Sequence, residues 1–196
     1  MFASRFTAFI DACALAGALK RNLLLTLAEA EFFRVRWSDP VLTETERAIA
    51  EILSGKGVPD ADAHATRARA NMEAAFEEAM VTGFTDLLIH GESLPDKDDA
   101  HVLAAAIKTR ASVIVTDNLK DFPAEILLPL DLEARSTDGF LADTIALDMG
   151  RATAAIRTMR LRFKRPEKHP EALLVDMDAA GLIETVDVLR PYAAVL

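Results

Sequence analysis

The sequence predicts an α/β fold with a central parallel sheet, followed by an all-helical extension, and three observations carry that prediction. Short β-branched or aromatic runs alternate with longer segments of helical period through the first two thirds of the chain, which is the pattern of repeated βα units. Acidic residues follow the ends of those runs or open the next helix, at Asp11, at Asp99 and around Asp117 to Asp121, and ligand sites of open α/β sheets lie beyond the carboxyl ends of strands. From Ser136 onward the strand-like runs stop. The division therefore falls between residues 1–135 and residues 136–196.

Residues 6–10 are a short apolar run and read as a buried strand, with Asp11 at its end. A carboxylate there is costly to bury without a partner, so Asp11 is either the N-cap of the next helix or part of a site. Residues 15–32 place Leu19, Leu23, Leu24, Leu27 and Ala28 on one stripe and read as a single amphipathic helix. Residues 33–37, FRVRW, alternate and form a second strand. Ser38-Asp39-Pro40 is a strong helix start. On that helix Glu44, Ala48 and the Glu51/Ile52 edge share a face, whereas Glu46 turns away beside Ala50 and Leu53. Residues 54–60 form a loop and residues 61–80 a long helix, with His64 on its surface. Val81-Thr82 is a third, short strand, and residues 84–92 fit a short helix or a loop equally well.

Residues 94–122, LPDKDDAHVLAAAIKTRASVIVTDNLKDF, are the densest in chemistry. Ser93 or Leu94 caps a helix with Pro95 in its first turn. Asp96 and Asp99 lie three apart on one face, with Asp98 between them, and Val102, Leu103 and Ala106 point inward. SVIVT, residues 112–116, is the central strand. Residues 118–122 make the turn that follows it, Pro123 starts another helical turn, and residues 130–134 are an edge strand. Four helices complete the chain, at 137–149, 151–163, 170–180 and 182–196, with a loop at 165–170.

Complementing a helix dipole accounts for one or two of the aspartates at 96, 98 and 99. Three in four positions repel one another, which points to a cation. Oxygen donors without His or Cys suit Mg²⁺ or Mn²⁺ rather than zinc. Such ions activate water and stabilise the oxygens of an in-line phosphoryl displacement. Thr116 either orients a water or phosphate or serves the strand alone. The chain has no P-loop, no dinucleotide glycine fingerprint and no nucleophilic serine or cysteine motif.

Composition narrows the class. The 196 residues carry a formal net charge of −9, which argues mildly against a general nucleic-acid binder but not against a nuclease whose site charge is neutralised by metal. The basic residues Arg151, Arg157, Arg160, Arg162, Lys164, Arg165 and Lys168 are concentrated against one acid, Glu167. That segment binds RNA phosphates, binds an acidic partner segment, or is a solvated face; the sequence leaves all three open. A single cysteine, Cys13, excludes an intrachain disulfide and fits a cytoplasmic protein. No apolar run approaches the ~18 residues of a membrane span, and MFASRFTAFIDA, with an acid inside its apolar run, reads as a strand rather than a signal peptide.

Four segments together, FIDACAL, RWSDPVLTETER, LPDKDDAHVLAAAI and VIVTDNLKDFP, resemble the PIN domain and, within it, the VapC-like ribonuclease toxins. The resemblance covers about residues 7–135. It implies a three-layer α/β/α fold and a metal-dependent endoribonuclease held inactive by a cognate antitoxin, with a homodimer as a possible state. Carried onto this chain, the strand-end acid of the family falls on Asp11 and its helical Glu on Glu44, with Glu46 as the other register. The acid before the Ala-rich helix falls on Asp99, with Asp96 as its partner. At the fourth corner many members place Asp where this chain has Asn118, so Asp117 or Asp121 supplies the charge. The implied mechanism is phosphodiester hydrolysis of RNA by a metal-activated water, with Asp11, Glu44, Asp96 and Asp99 in the catalytic set.

Two other functions compete. A haloacid-dehalogenase-type phosphatase also carries Asp after its first strand, but it requires a second Asp where this chain has Cys13. A PIN-fold binding module without catalysis is supported by Asn118 and opposed by the presence of Asp11, Glu44, Asp96 and Asp99.

Overall fold

The computed structural model describes residues 6–164 and 167–196. Met1 to Arg5, the start of the segment weighed as a signal peptide, lie outside the described residues, as do Arg165 and Pro166 at the start of the expected 165–170 loop. Five parallel strands, β1 (Thr7–Ile10), β2 (Arg34–Ser38), β3 (Met80–Val81), β4 (Val113–Val115) and β5 (Glu133–Arg135), form one sheet in the order β3-β2-β1-β4-β5. The central strand is therefore β1, not the SVIVT run, which lies beside it as β4. The chain runs from β1 outward to β2 and β3 and later to β4 and β5 on the other side, so the order reverses between β1 and β4. That switch point is where open α/β sheets place ligands. Phe9, Ile10 and Ile114 are fully buried, as expected for strands covered on both faces.

Where one helix was expected over residues 15–32, the chain forms α1 (Ala12–Ala16) and α2 (Ala18–Glu29). Gly17 takes an extended conformation between them. The carbonyls freed at Leu15 and Ala16 accept from the Arg21 guanidinium at 2.6 and 3.1 Å, which makes the break possible without orphaned acceptors. The helix after Ser38 is α3 (Asp39–Gly55), and it packs on α4 (Ala61–Ala75). The latter is shorter than the expected 61–80. It ends at Phe76, whose ring meets Trp37 edge-on at 5.9 Å, and the residues beyond are drawn into β3 beside Trp37 and Ser38. Residues Thr85–Ser93 are a 3-10 segment.

The Ala-rich helix α5 spans Ala100–Lys108. Its N-cap is Asp99, five or six residues later than the expected Ser93 or Leu94, and Pro95 lies outside the helix. The reason is local: the Asp96 carboxylate accepts from the Asp98 backbone N–H at 2.9 Å, a side-chain turn that competes with helix. A short helix α6 (Ala124–Leu127) precedes β5.

The C-terminal helices are α7 (Thr137–Leu147), α8 (Met149–Leu161), α9 (Pro170–Ala179) and α10 (Ile183–Leu189), with a 3-10 segment Arg190–Val195 in place of the end of the expected fourth helix. α7 and α8 pack on α2. Phe140 of α7 meets Phe33 edge-on at 4.9 Å, and Phe6 lies 6.0 and 6.1 Å from those two rings. The apolar core therefore runs without interruption from the sheet into the extension. No helix among the described residues is long and apolar enough to cross a membrane.

Candidate active site

Asp11 follows β1 directly and is buried. Its Oδ1 accepts from the Ala12 N–H at 2.7 Å, capping α1, while Oδ2 accepts from Thr116 Oγ1 at 2.7 Å and from the Cys13 thiol at 3.1 Å. The capping and site readings of Asp11 are thus compatible, because each uses a different oxygen. Partial burial and then the Asp11 charge push the Cys13 thiol up to about 12, although part of the residue reaches solvent. At neutral pH it is a hydrogen-bond donor and not a nucleophile. Thr116 is fully buried and follows β4; its hydroxyl also accepts from the Asn118 N–H at 3.0 Å.

Asp96, Asp99 and Asp121 converge beside this pair, each offering a carboxylate oxygen within 4.8 Å of the others. Asp121 is buried and accepts from the Asn118 side-chain amide. Asp99 Oδ2 is buried and has no hydrogen-bond partner among the described residues, and the side chain makes no cap to α5. Burial first, and then the charges of Asp11, Asp96 and Asp121, push the Asp99 carboxyl up to about 6, with His101 acting in the opposite direction. A buried carboxylate oxygen without a partner is expensive, and a hard divalent cation would satisfy it. An oxygen-only donor set of this kind fits such an ion.

Glu44 of α3 accepts from His101 Nε2 of α5 at 3.0 Å, and His101 also feels the charges of Asp11 and Asp99. Glu46 lies on another face of α3, accepting from Thr66 at 2.5 Å and 3.6 Å from Arg69. Asp117 does not join the cluster. Its carboxylate pairs with Lys20 at 2.7 Å and accepts from the Thr137 N–H at 2.9 Å. Burial raises it, but these two partners outweigh burial and leave it below the usual carboxylate range. Between the two acids expected to share the fourth corner, the geometry places Asp121 in the cluster and makes Asp117 a tie to the extension. Asp98 is exposed and contributes its backbone N–H to Asp96. His64 is exposed on α4.

The residue that sequence reasoning overlooked is His101. Its position two after Asp99, in the first turn of an amphipathic helix, was the available signal. Most of the basic segment is engaged structurally. Arg160 is buried and donates to main-chain oxygens of Leu196 and Lys168 at 3.1 and 2.6 Å, Lys168 pairs with Asp176, and Arg162 pairs with Glu29 at 3.4 Å. Arg151 lies 4.2 Å over the Phe32 ring. Phe32 and Glu29 sit where α2 leads into β2, at the end of the sheet opposite Asp11 and Thr116.

A PIN-domain family model matches residues 7–120, more than half of the chain. The chain belongs to the PIN-domain family. A second model, described as the VapC50 C-terminal domain, matches residues 137–191, so the helices after β5 match a family model of their own. Over 103 residues the chain is 39% identical to a protein of Mycobacterium tuberculosis (strain ATCC 25618 / H37Rv) named "Putative ribonuclease VapC50". That match covers 53% of this PIN protein and 58% of the relative, so it spans little more than half of either chain. No solved structure matches the chain.

Proposed function

We propose that this PIN protein is a metal-dependent endoribonuclease and the toxin of a toxin–antitoxin pair, with RNA as substrate and a cognate antitoxin as inhibitory partner. The observation that carries the reading is the convergence of Asp96, Asp99 and Asp121 around a buried, unpartnered Asp99 oxygen at the β1/β4 switch point. Asp11, Asp96, Asp99 and Asp121 are the residues that would hold Mg²⁺ or Mn²⁺, with Glu44 at the margin. The bound ion supplies an activated water and charge stabilisation for the displaced phosphodiester oxygens. The chain's own groups set the frame. Thr116 and the Ala12 N–H fix both oxygens of Asp11. Asn118 braces Asp121 through its side-chain amide. Thr116 serves this frame rather than contacting phosphate.

The test is cleavage of defined RNAs by the purified protein with Mn²⁺, with Mg²⁺ and with EDTA, beside a phosphomonoester. Metal-dependent RNA cleavage that is lost in EDTA supports the reading. Hydrolysis of the phosphomonoester alone would replace it with the phosphatase, and metal binding without either activity would leave a binding module.

A further inference from the structure

The feature that the proposed chemistry leaves unexplained is a half-buried histidine that feels the charges of Asp11 and Asp99. His101 sits in the first turn of α5, two residues after Asp99, with 16% of its side chain exposed. Its Nε2 lies 3.0 Å from Glu44 Oε1. Glu44 as a carboxylate offers only acceptors, so Nε2 carries the hydrogen and donates. The other ring nitrogen, Nδ1, is buried without a partner among the described residues. The ring is therefore fixed by one hydrogen bond, and that bond ends on the one acid of the expected set that comes from α3 rather than from a strand end or the turn before α5.

We infer that His101 is a positioning residue: its Nε2–H holds Glu44 Oε1 and leaves Oε2 turned to the metal site. The physical need is clear from Glu44 itself. Its side chain is 42% exposed and has several rotatable bonds, and its partner His101 feels the charges of Asp11 and Asp99. Without a donor the carboxylate would swing away from those charges into solvent. One hydrogen bond from a ring locked in α5 removes that freedom and joins α3 to the helix that follows Asp99. Metal-ligating carboxylates are commonly oriented in this way, and loss of such an outer partner costs about 10–100-fold in metal affinity or activity. The inference rests on the proposed metal site, though not on RNA being the substrate.

The experiment compares the full-length wild type with His101→Ala, His101→Gln and Glu44→Gln, plus the His101→Ala/Glu44→Gln pair. Mn²⁺ affinity is read by titration calorimetry, RNA cleavage is followed in parallel, and melts in EDTA confirm folding. The His101→Ala variant should bind Mn²⁺ about 10–100-fold more weakly. Gln places an amide N–H near the position of Nε2, so His101→Gln should recover most of that loss although it cannot become cationic. In the Glu44→Gln background, His101→Ala should have little further effect, because the partner it serves is gone. Equal losses for Ala and Gln, or additive losses with Glu44→Gln, would overturn the inference. A wild type that binds Mn²⁺ but does not cleave RNA would overturn the nuclease reading and leave the affinity comparison decisive for His101. A wild type that binds no Mn²⁺ would overturn both.

Discussion

Thr116 Oγ1 donates to Asp11 Oδ2 across 2.7 Å, joining the carboxyl ends of β1 and β4 at the point where the strand order reverses. Both residues are buried, and the same hydroxyl accepts from the Asn118 N–H. One side chain therefore ties the strand-end acid to the turn that carries Asp121.

Replacing Thr116 by Val keeps the shape and removes both bonds. Asp11 and the Asn118 N–H then lose a buried partner, at a cost of about 1–3 kcal/mol. Thr116→Ser keeps the hydroxyl and should cost less. Urea unfolding of the two variants checks the stability difference, and RNA cleavage by Thr116→Val should fall more than that of Thr116→Ser. Equal stability of the two would mean the hydroxyl does not carry the contact.

Gly91 gives a second handle on the site, through packing. A Cβ at this position would lie 2.3 Å from the Ala100 side chain and 2.5 Å from its Cα. Gly91→Ala must therefore push the 3-10 segment Thr85–Ser93 away from the start of α5, next to Asp99. Overpacking of this kind costs about 1–3 kcal/mol. The melt in EDTA should drop, and the additional stabilisation by Mn²⁺ should shrink as Asp99 is displaced. A variant indistinguishable from wild type in both would show that the segment yields freely.

Much of this arrangement was legible in the sequence because it depends on local signals. The apolar strand runs, the Ser38-Asp39-Pro40 start and the acids at strand ends identify the α/β frame and bring Asp11, Asp96 and Asp99 together on paper. What was not legible depends on contacts between distant residues. Asp117 and Asp121 are equivalent acids four apart in sequence, and only the positions of Lys20 and Thr137 separate their roles. The break at Gly17 needs Arg21 to serve the freed carbonyls. The end of α4 is set by strand pairing at Trp37 and Ser38, and tertiary pairing outweighs helix propensity there. The partnership of His101 with Glu44 joins two helices whose facing could not be read from either alone.

The extension shares its core with the sheet through Phe6, Phe33 and Phe140, and Asp117 accepts from the first residue of α7. Cutting the chain after Ser136 should therefore uncover apolar surface on α2 and leave a fragment that aggregates or melts without a cooperative transition. A soluble fragment 1–136 with wild-type RNA cleavage would show that the helical extension is a separate module.

Asp99 should act in opposite senses on stability and on activity. Its carboxyl titrates at about 6 in the folded protein, raised from 3.8 by burial and by Asp11, Asp96 and Asp121. A raised acid in the native state means that the folded protein holds a proton which the unfolded chain has released between those two values. Stability from this group is complete below about 3.8 and is lost as pH rises through about 6. In EDTA at pH 7, Asp99→Asn should therefore melt higher than wild type, by about 1 kcal/mol once solvent screening at this partly exposed site is allowed for. The gap between the two proteins should close as pH falls to 4. Adding Mn²⁺ reverses the order. Wild type gains stability by binding, the Asn variant gains less, and its RNA cleavage falls by orders of magnitude. Because the Asp99 side chain makes no cap to α5, loss of a cap cannot produce this pattern. Melts at pH 4 and 7, with and without Mn²⁺, measure it directly. An Asn variant that matches wild type in EDTA at pH 7 and cleaves RNA at the wild-type rate would remove Asp99 from the site.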